Sequence, residues 1–195
     1  RDINIINSEL ILADLATVEK RRDSRAKKAK GGDPEAKREL ALLERLHPHL
    51  EDGKPALTLD LSREDRELLQ EFFLLTSKRT IFACNVAEDE LAGALEDPGS
   101  HPLVSTVRSL AAESHGAEAV VISARIEEEL ISLSPEESQE FLTDMGVPDS
   151  GVSTLIRAVY DLLGLRTYLT TGEKETRAWT IVAGTKAPGA AGVIH

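Results

Sequence analysis

Apolar residues near the start of the chain recur three and four apart. Ile3, Ile6, Leu10, Ile11, Leu15 and Val18 form a helical stripe in a stretch free of Pro and Gly to Lys30. The stripe then fades into "EKRRDSRAKKAK", and "GGDPE" interrupts. Gly31 and Gly32 suit a helix stop, Asp33 an N-cap and Pro34 the first position of a new helix. Ala36, Leu40, Leu43, His47 and Leu50 continue at helical spacing. Two long helices joined by so short a turn predict an antiparallel helical hairpin or short coiled coil. "EDGKPALTLDLS" breaks the pattern, and Ser62 with Asp65 opens a further helix to about Phe72.

From Arg79 the period changes. "RTIFACN" (79–85) reads as a buried strand and "AEAVVISA" (117–124) as a second, after a Gly116 break. A helix is expected between them, from Pro102 to Ser114. Ser134-Pro135-Glu136-Glu137 carries a helix start, and another helix is expected over Val152–Leu163. Strand, helix, strand, helix is the order of a parallel sheet with crossover helices. "LRTYLTTGEKETRAWTI" reads as a hairpin turning at Gly172-Glu173-Lys174.

Composition adds bounds. Hydrophobic content of 41% with 29% charged residues is that of a folded globular chain. A net charge of −11 argues against a whole surface that wraps nucleic acid, and no DNA partner is expected, but it leaves room for a local basic stripe. The single cysteine, Cys84, excludes an intrachain disulfide and points to a reducing cytosol; its place in an apolar strand predicts a buried, inert thiol. No apolar run reaches the about 20 residues of a membrane-spanning helix. The five histidines (47, 49, 101, 115, 195) show no metal-ligand spacing. The chain starts at Arg1 within a helical pattern and ends at "AAGVIH", so an internal piece of a longer protein is expected.

Chemistry is expected at the carboxyl ends of the parallel strands, where open α/β sheets bind ligands. Asn85 and Ser123 stand just past such ends. An Asn amide offers donor and acceptor, which suits the Hoogsteen edge of a purine, and Glu88 adds an acceptor three residues on. Taken alone, "NVAE" reads better as an Asn that simply turns the chain. Paired with "SAR" (Ser123, Ala124, Arg125), it has the order and separation of the two base loops of Ras-like GTPases.

With these motifs in place the chain resembles the Obg-like ATPase (YchF) family, a branch of the Obg-related P-loop NTPases. "RDINIINSELILADLATVEKR" resembles the start of the family's helical hairpin, "NVAED" its altered base loop and "VVISARIEEEL" its second base loop. "LLGLRTYLTTGEKETRAWTIVAGTKAPGAAGVIH" resembles the passage into a TGS domain, a small β-grasp module, with Trp179 in its core. The resemblance implies an α/β fold: the second half of a P-loop G domain at 78–164, an inserted helical hairpin at 1–77 and the start of a TGS domain at 165–195. It also implies hydrolysis of ATP or GTP with Mg²⁺, a cytoplasmic setting and association with the ribosome, through its large subunit.

In the family's setting, Asn85, Val86, Glu88, Ser123 and Ala124 would line the base. An Asp at the position of Glu88 would read guanine N1–H and N2–H₂, donors that adenine lacks. Asn85 would then address N7 and N6, with the Val86 main chain completing adenine recognition. The basic run Lys20, Arg21, Arg22, Arg25, Lys27, Lys28 and Lys30 is either a solvated helix end or a contact with ribosomal RNA, with Arg25, Lys27 and Lys28 as the candidates. No G-x-x-x-x-G-K-[ST] phosphate loop occurs; "TTGEKET" and "AGTKAP" lack its spacing. The chain alone is therefore expected not to hydrolyse ATP. A non-catalytic ribosome- or RNA-binding adaptor and a helical interaction module are the rival readings.

Overall fold

The computed structural model describes residues 1–113 and 117–194. The expected helix end at Ser114, the break at Gly116, and His115 and His195 lie outside the described residues. The chain forms two compact units that divide between Arg79 and Thr80.

The first unit is built on α1 (Asp2–Lys30) and α2 (Pro34–Glu51), with α3 (Arg63–Gln70) beside them. The turn between α1 and α2 follows the sequence reading. Gly32 takes φ +92°, a conformation that favours glycine, and the Asp33 carboxylate accepts from the Glu35 and Ala36 N–H groups. Ser62 caps α3 by accepting from Asp65 N–H. α3 stops at Gln70 rather than Phe72, because Phe72 turns into the core and Phe73 follows at φ +53°. The core is aliphatic, centred on Val18, Leu42, Leu43, Leu46 and Leu50.

Two buried carboxylates hold this unit together. Glu39, 1% exposed, receives Arg21 Nε at 2.9 Å and Arg25 Nε at 2.8 Å. The Arg21 guanidinium also lies 4.2 Å from the centre of the Phe72 ring. So the stripe that fades after Val18 continues as ion pairs on the same face. Asp14, 2% exposed, accepts from Leu75 N–H and Thr76 N–H at 2.7 Å and from the Thr76 hydroxyl at 2.6 Å. The Thr76 oxygen in turn accepts from Ala56 N–H at 2.9 Å. The network ties α1 to two segments that have no regular ladder of their own.

The second unit holds the parallel pair β1 (Ile81–Asn85) and β2 (Glu118–Ile122). Between them run α4 (Glu88–Glu96) and α5 (Pro102–Glu113); after them come α6 (Ala124–Leu130), α7 (Pro135–Asp144) and α8 (Gly151–Leu162). A mixed α/β fold with a parallel sheet and crossover helices is thus present. β1 departs from the expected buried strand: Ala83 and Asn85 are exposed and the rest half-buried. Among the described residues its ladder partner is β2 alone, so its other edge is uncovered. Cys84 is accordingly half-buried, and burial pushes its thiol up, with Arg108 pulling the other way.

Antiparallel strands β3 (Leu165–Thr171) and β4 (Thr176–Val182) form the expected hairpin, followed by α9 (Ala187–Ala191). Trp179 is half-buried rather than core: two strands and a five-residue helix cannot enclose an indole. Its Nε1–H donates to Thr170 Oγ1 at 2.8 Å, and the Arg177 guanidinium covers its face at 4.3 Å.

Helix starts in this unit carry its acid sensitivity. In α7 Ser134 N–H donates to Glu137 at 2.8 Å, and this bond holds the Glu137 carboxyl below its ordinary value of 4.5. The Arg157 guanidinium, 2.6 Å from Asp149, holds that carboxyl below 3.8. Both groups bind protons more weakly folded than unfolded. Their contribution is therefore complete above those ordinary values and is lost as pH falls through the lowered ones. The second unit's melting temperature is expected to fall below pH 4.5. Glu137→Gln with Asp149→Asn should flatten that fall, as followed by calorimetry.

Candidate functional site

The parallel register sets Asn85 beside Ile122 at the carboxyl ends of both strands. One more rung follows, from Val86 N–H to the Ile122 carbonyl at 2.9 Å. The loops that leave β1 and β2 therefore start side by side.

A side chain joins them. Asn85 Oδ1 accepts from Ala124 N–H at 2.9 Å. Ala124 is the first residue of α6, whose leading N–H groups have no partner within the helix. Ser123 stands at the N-cap but makes no side-chain capping bond, so Asn85 caps α6 from the other loop. Its Nδ2 amide makes no hydrogen bond among the described residues. Ser123 Oγ is buried without a partner, in a residue 1% exposed. A buried hydroxyl left so costs about 1–3 kcal/mol, a cost that functional sites can carry.

Val86 can address a base only through its main chain, as the sequence expectation had it. Its side chain enters the core and its N–H is committed to Ile122, so only its carbonyl is free to face a ligand. Glu88 is exposed, at the first position of α4 and not in an open loop. The carboxylate that organises this turn is Glu90, which accepts from Ala87 N–H at 3.2 Å. Sequence reading missed both α4 and Glu90; a Glu three residues past a helix N-cap was the available signal. It also missed Gly151. A Cβ there would lie 2.9 Å from Ile122 Cβ, so glycine lets α8 close against the end of β2, with Gly151 N–H donating to Glu127 at 2.6 Å.

The remaining candidates lie elsewhere. Arg25 is spent on Glu39, whereas Lys27 and Lys28 are exposed and carry no ion pair among the described residues. Gly172 of "TTGEKET" donates its N–H to Glu175 within a hairpin turn, and "GTK" leads only into five-residue α9. No three His, Cys, Asp or Glu side chains stand together as a metal set among the described residues. These residues do not fit a Mg²⁺ site. Among them, no helix is long and apolar enough to cross a membrane.

Residues 165–195 match the family model YchF-GTPase_C, described as a protein of unknown function (DUF933). Along its whole length the chain is 45% identical to the ribosome-binding ATPase YchF of Bacillus subtilis, covering 52% of that protein. It is 43% identical to the protein of the same name from Escherichia coli O157:H7, covering 51% of it. The Schizosaccharomyces pombe YchF GTPase structure superposes with a TM-score of 0.85 at 32% identity, over all of this chain and 52% of that one. The chain spans about half the length of the curated relatives it matches. Similar to these proteins along its whole length, and matching the family model over residues 165–195, the chain belongs to the YchF family.

Proposed function

We propose that this chain supplies the purine-reading loops of a ribosome-associated protein that hydrolyses ATP or GTP. The observation that carries the reading is the Asn85–Ala124 bond. With Oδ1 held by the Ala124 N–H, the amide keeps its Nδ2 donor without a partner among the described residues. A fixed donor suits purine N7, which both adenine and guanine present.

Discrimination comes from the other groups. The second lone pair of Asn85 Oδ1 and the Val86 carbonyl are acceptors for the adenine N6 amino group. The unpartnered Ser123 hydroxyl and the Ala124 backbone close the opposite side of the base. Glu88 begins α4, where the chain is already helical, and its longer side chain need not occupy the point from which an Asp would read guanine N1–H and N2–H₂. Adenine is therefore admitted without leaving a carboxylate facing a bare ring edge.

Phosphate cradling and Mg²⁺ belong to residues outside this chain, a division consistent with relatives about twice its length. Residues 165–195 open a TGS domain, and the setting is cytoplasmic. The names of the bacterial relatives support the ribosomal partner. The test is calorimetric titration of the complete protein with ATP and with GTP. ATP is expected to bind at least as tightly as GTP; GTP binding ten-fold tighter or more would overturn the adenine reading.

A further inference from the structure

Val86 stands between two peptide planes that are held by different groups. The plane before it is pinned to the sheet, because Val86 N–H donates to the Ile122 carbonyl at 2.9 Å. The plane after it carries the Val86 carbonyl and the Ala87 N–H together. In a trans peptide plane those two groups point in opposite directions. Glu90 holds this second plane, since its Oε2 accepts from Ala87 N–H at 3.2 Å. Glu90 thereby sets the direction of the Val86 carbonyl and turns it away from the start of α4.

Glu90 is itself steadied. His101 Nε2 faces the same oxygen, Oε2, at 3.6 Å, a contact of electrostatic attraction and too long for a hydrogen bond. His101 Nδ1 accepts from Val104 N–H at 3.3 Å and so caps α5. An acceptor at Nδ1 leaves the ring proton on Nε2, where it meets the carboxylate. His101 is half-buried, so its ring is confined in a way that the exposed Glu90 is not. The ring ties the first turn of α4 to the first turn of α5. A bond from an N-cap N–H to the third helical residue is common at helix starts, and Ser134 with Glu137 makes one at α7. At α4 the N-cap is Ala87, which has no side chain to return the bond. The N–H in question also shares its plane with a carbonyl at the loop end that leaves β1.

We propose that Glu90, braced by His101, is a positioning residue that decides between the purines, by aiming the Val86 carbonyl as acceptor for the adenine N6 amino group. The inference rests on the purine-reading function proposed above. At this edge adenine presents the N6 donor, whereas guanine presents the O6 acceptor, which a carbonyl repels. A carbonyl fixed in direction favours the first base and disfavours the second. Released from Glu90, the plane can turn, and the carbonyl then distinguishes the two bases less.

The test is calorimetric titration of the complete protein and its variants with ATP, with GTP and with a triphosphate whose purine carries no 6-substituent. Glu90→Ala should weaken ATP binding about 3- to 10-fold, the worth of one neutral hydrogen bond, while GTP binding stays level or tightens. The advantage of ATP over the unsubstituted purine should shrink by the same factor. Glu90→Gln keeps an oxygen for Ala87 N–H and should restore the ratio of ATP to GTP affinity. His101→Asn keeps an oxygen that can cap α5 but is too short to reach Glu90, so it should lower the ratio by less. Glu137→Ala removes the same kind of bond at α7 and should leave the ratio unchanged. A purely structural Glu90 would weaken ATP and GTP equally. That result, or an unchanged ratio in Glu90→Ala, overturns the inference and leaves the purine-reading loops standing. Should Glu90→Ala fail to fold, His101→Asn carries the test, and an unchanged ratio there is the overturning result. If the unaltered protein binds neither ATP nor GTP, the proposed function fails and this inference falls with it.

Discussion

Replacing Asn85 with alanine is expected to weaken ATP binding by the complete protein about 10- to 100-fold, the loss of one to two polar contacts at about 1.4 kcal/mol per decade. Two effects combine. The Ala124 N–H loses its acceptor at 2.9 Å, so α6 loses the group that caps it. The base also loses the Nδ2 donor. Asn85→Asp separates them, because it keeps an oxygen for Ala124 while setting a carboxylate where the donor stood. Its melting temperature should stay near that of the unaltered protein, whereas ATP affinity should fall as far as in Asn85→Ala. Calorimetric titration beside a thermal melt reads both. If Asn85→Asp binds ATP normally, the amide is a brace and nothing more.

The largest loss of stability is expected at Asp14. Its carboxylate serves three donors at 2.6–2.7 Å, two of them on Thr76, whose oxygen also serves Ala56. Asp14→Ala leaves the Leu75 and Thr76 amides and a threonine hydroxyl facing apolar surroundings. A buried donor left unpaired costs about 1–3 kcal/mol, so three together cost at least about 3 kcal/mol, a large share of what holds a small unit folded. Asp14→Asn retains an oxygen but sets an NH₂ against donors, so it should recover only part of the loss. Urea denaturation should report the change, and hydrogen exchange at Leu75 and Thr76 should locate it. A cost below about 1 kcal/mol would mean that water replaces the carboxylate.

What the sequence disclosed and what it concealed divide by the range of the interaction. The starts at Asp33-Pro34, Ser62 and Ser134-Pro135 were readable because a cap acts within three residues. α4 and α6 escaped because Ala87 has no capping side chain and Ser123 makes no capping bond. The device that caps α6 is Asn85, 39 residues away. Asp14 and Glu39 escaped for the same reason, since their partners lie elsewhere in the chain. A carboxylate at Asp14, one turn before Val18 on the apolar stripe, was the clue available. Of the five base-loop candidates, Asn85 and Ala124 are hydrogen-bonded, with Ser123 beside Ala124. Val86 is turned into the core, and Glu88 stands at a helix start. Arg25 counted as a surface charge until Glu39 was found beneath it.

The bond between Asn85 and Ala124 joins the two loops through groups of this chain alone. Were the loops separate in the empty protein, each binding event would first have to freeze them, and part of the intrinsic affinity would be spent on ordering. With the brace already closed, that toll is met during folding, once, and is not levied at every turnover. Nucleotide exchange can then proceed as the filling and emptying of a standing frame.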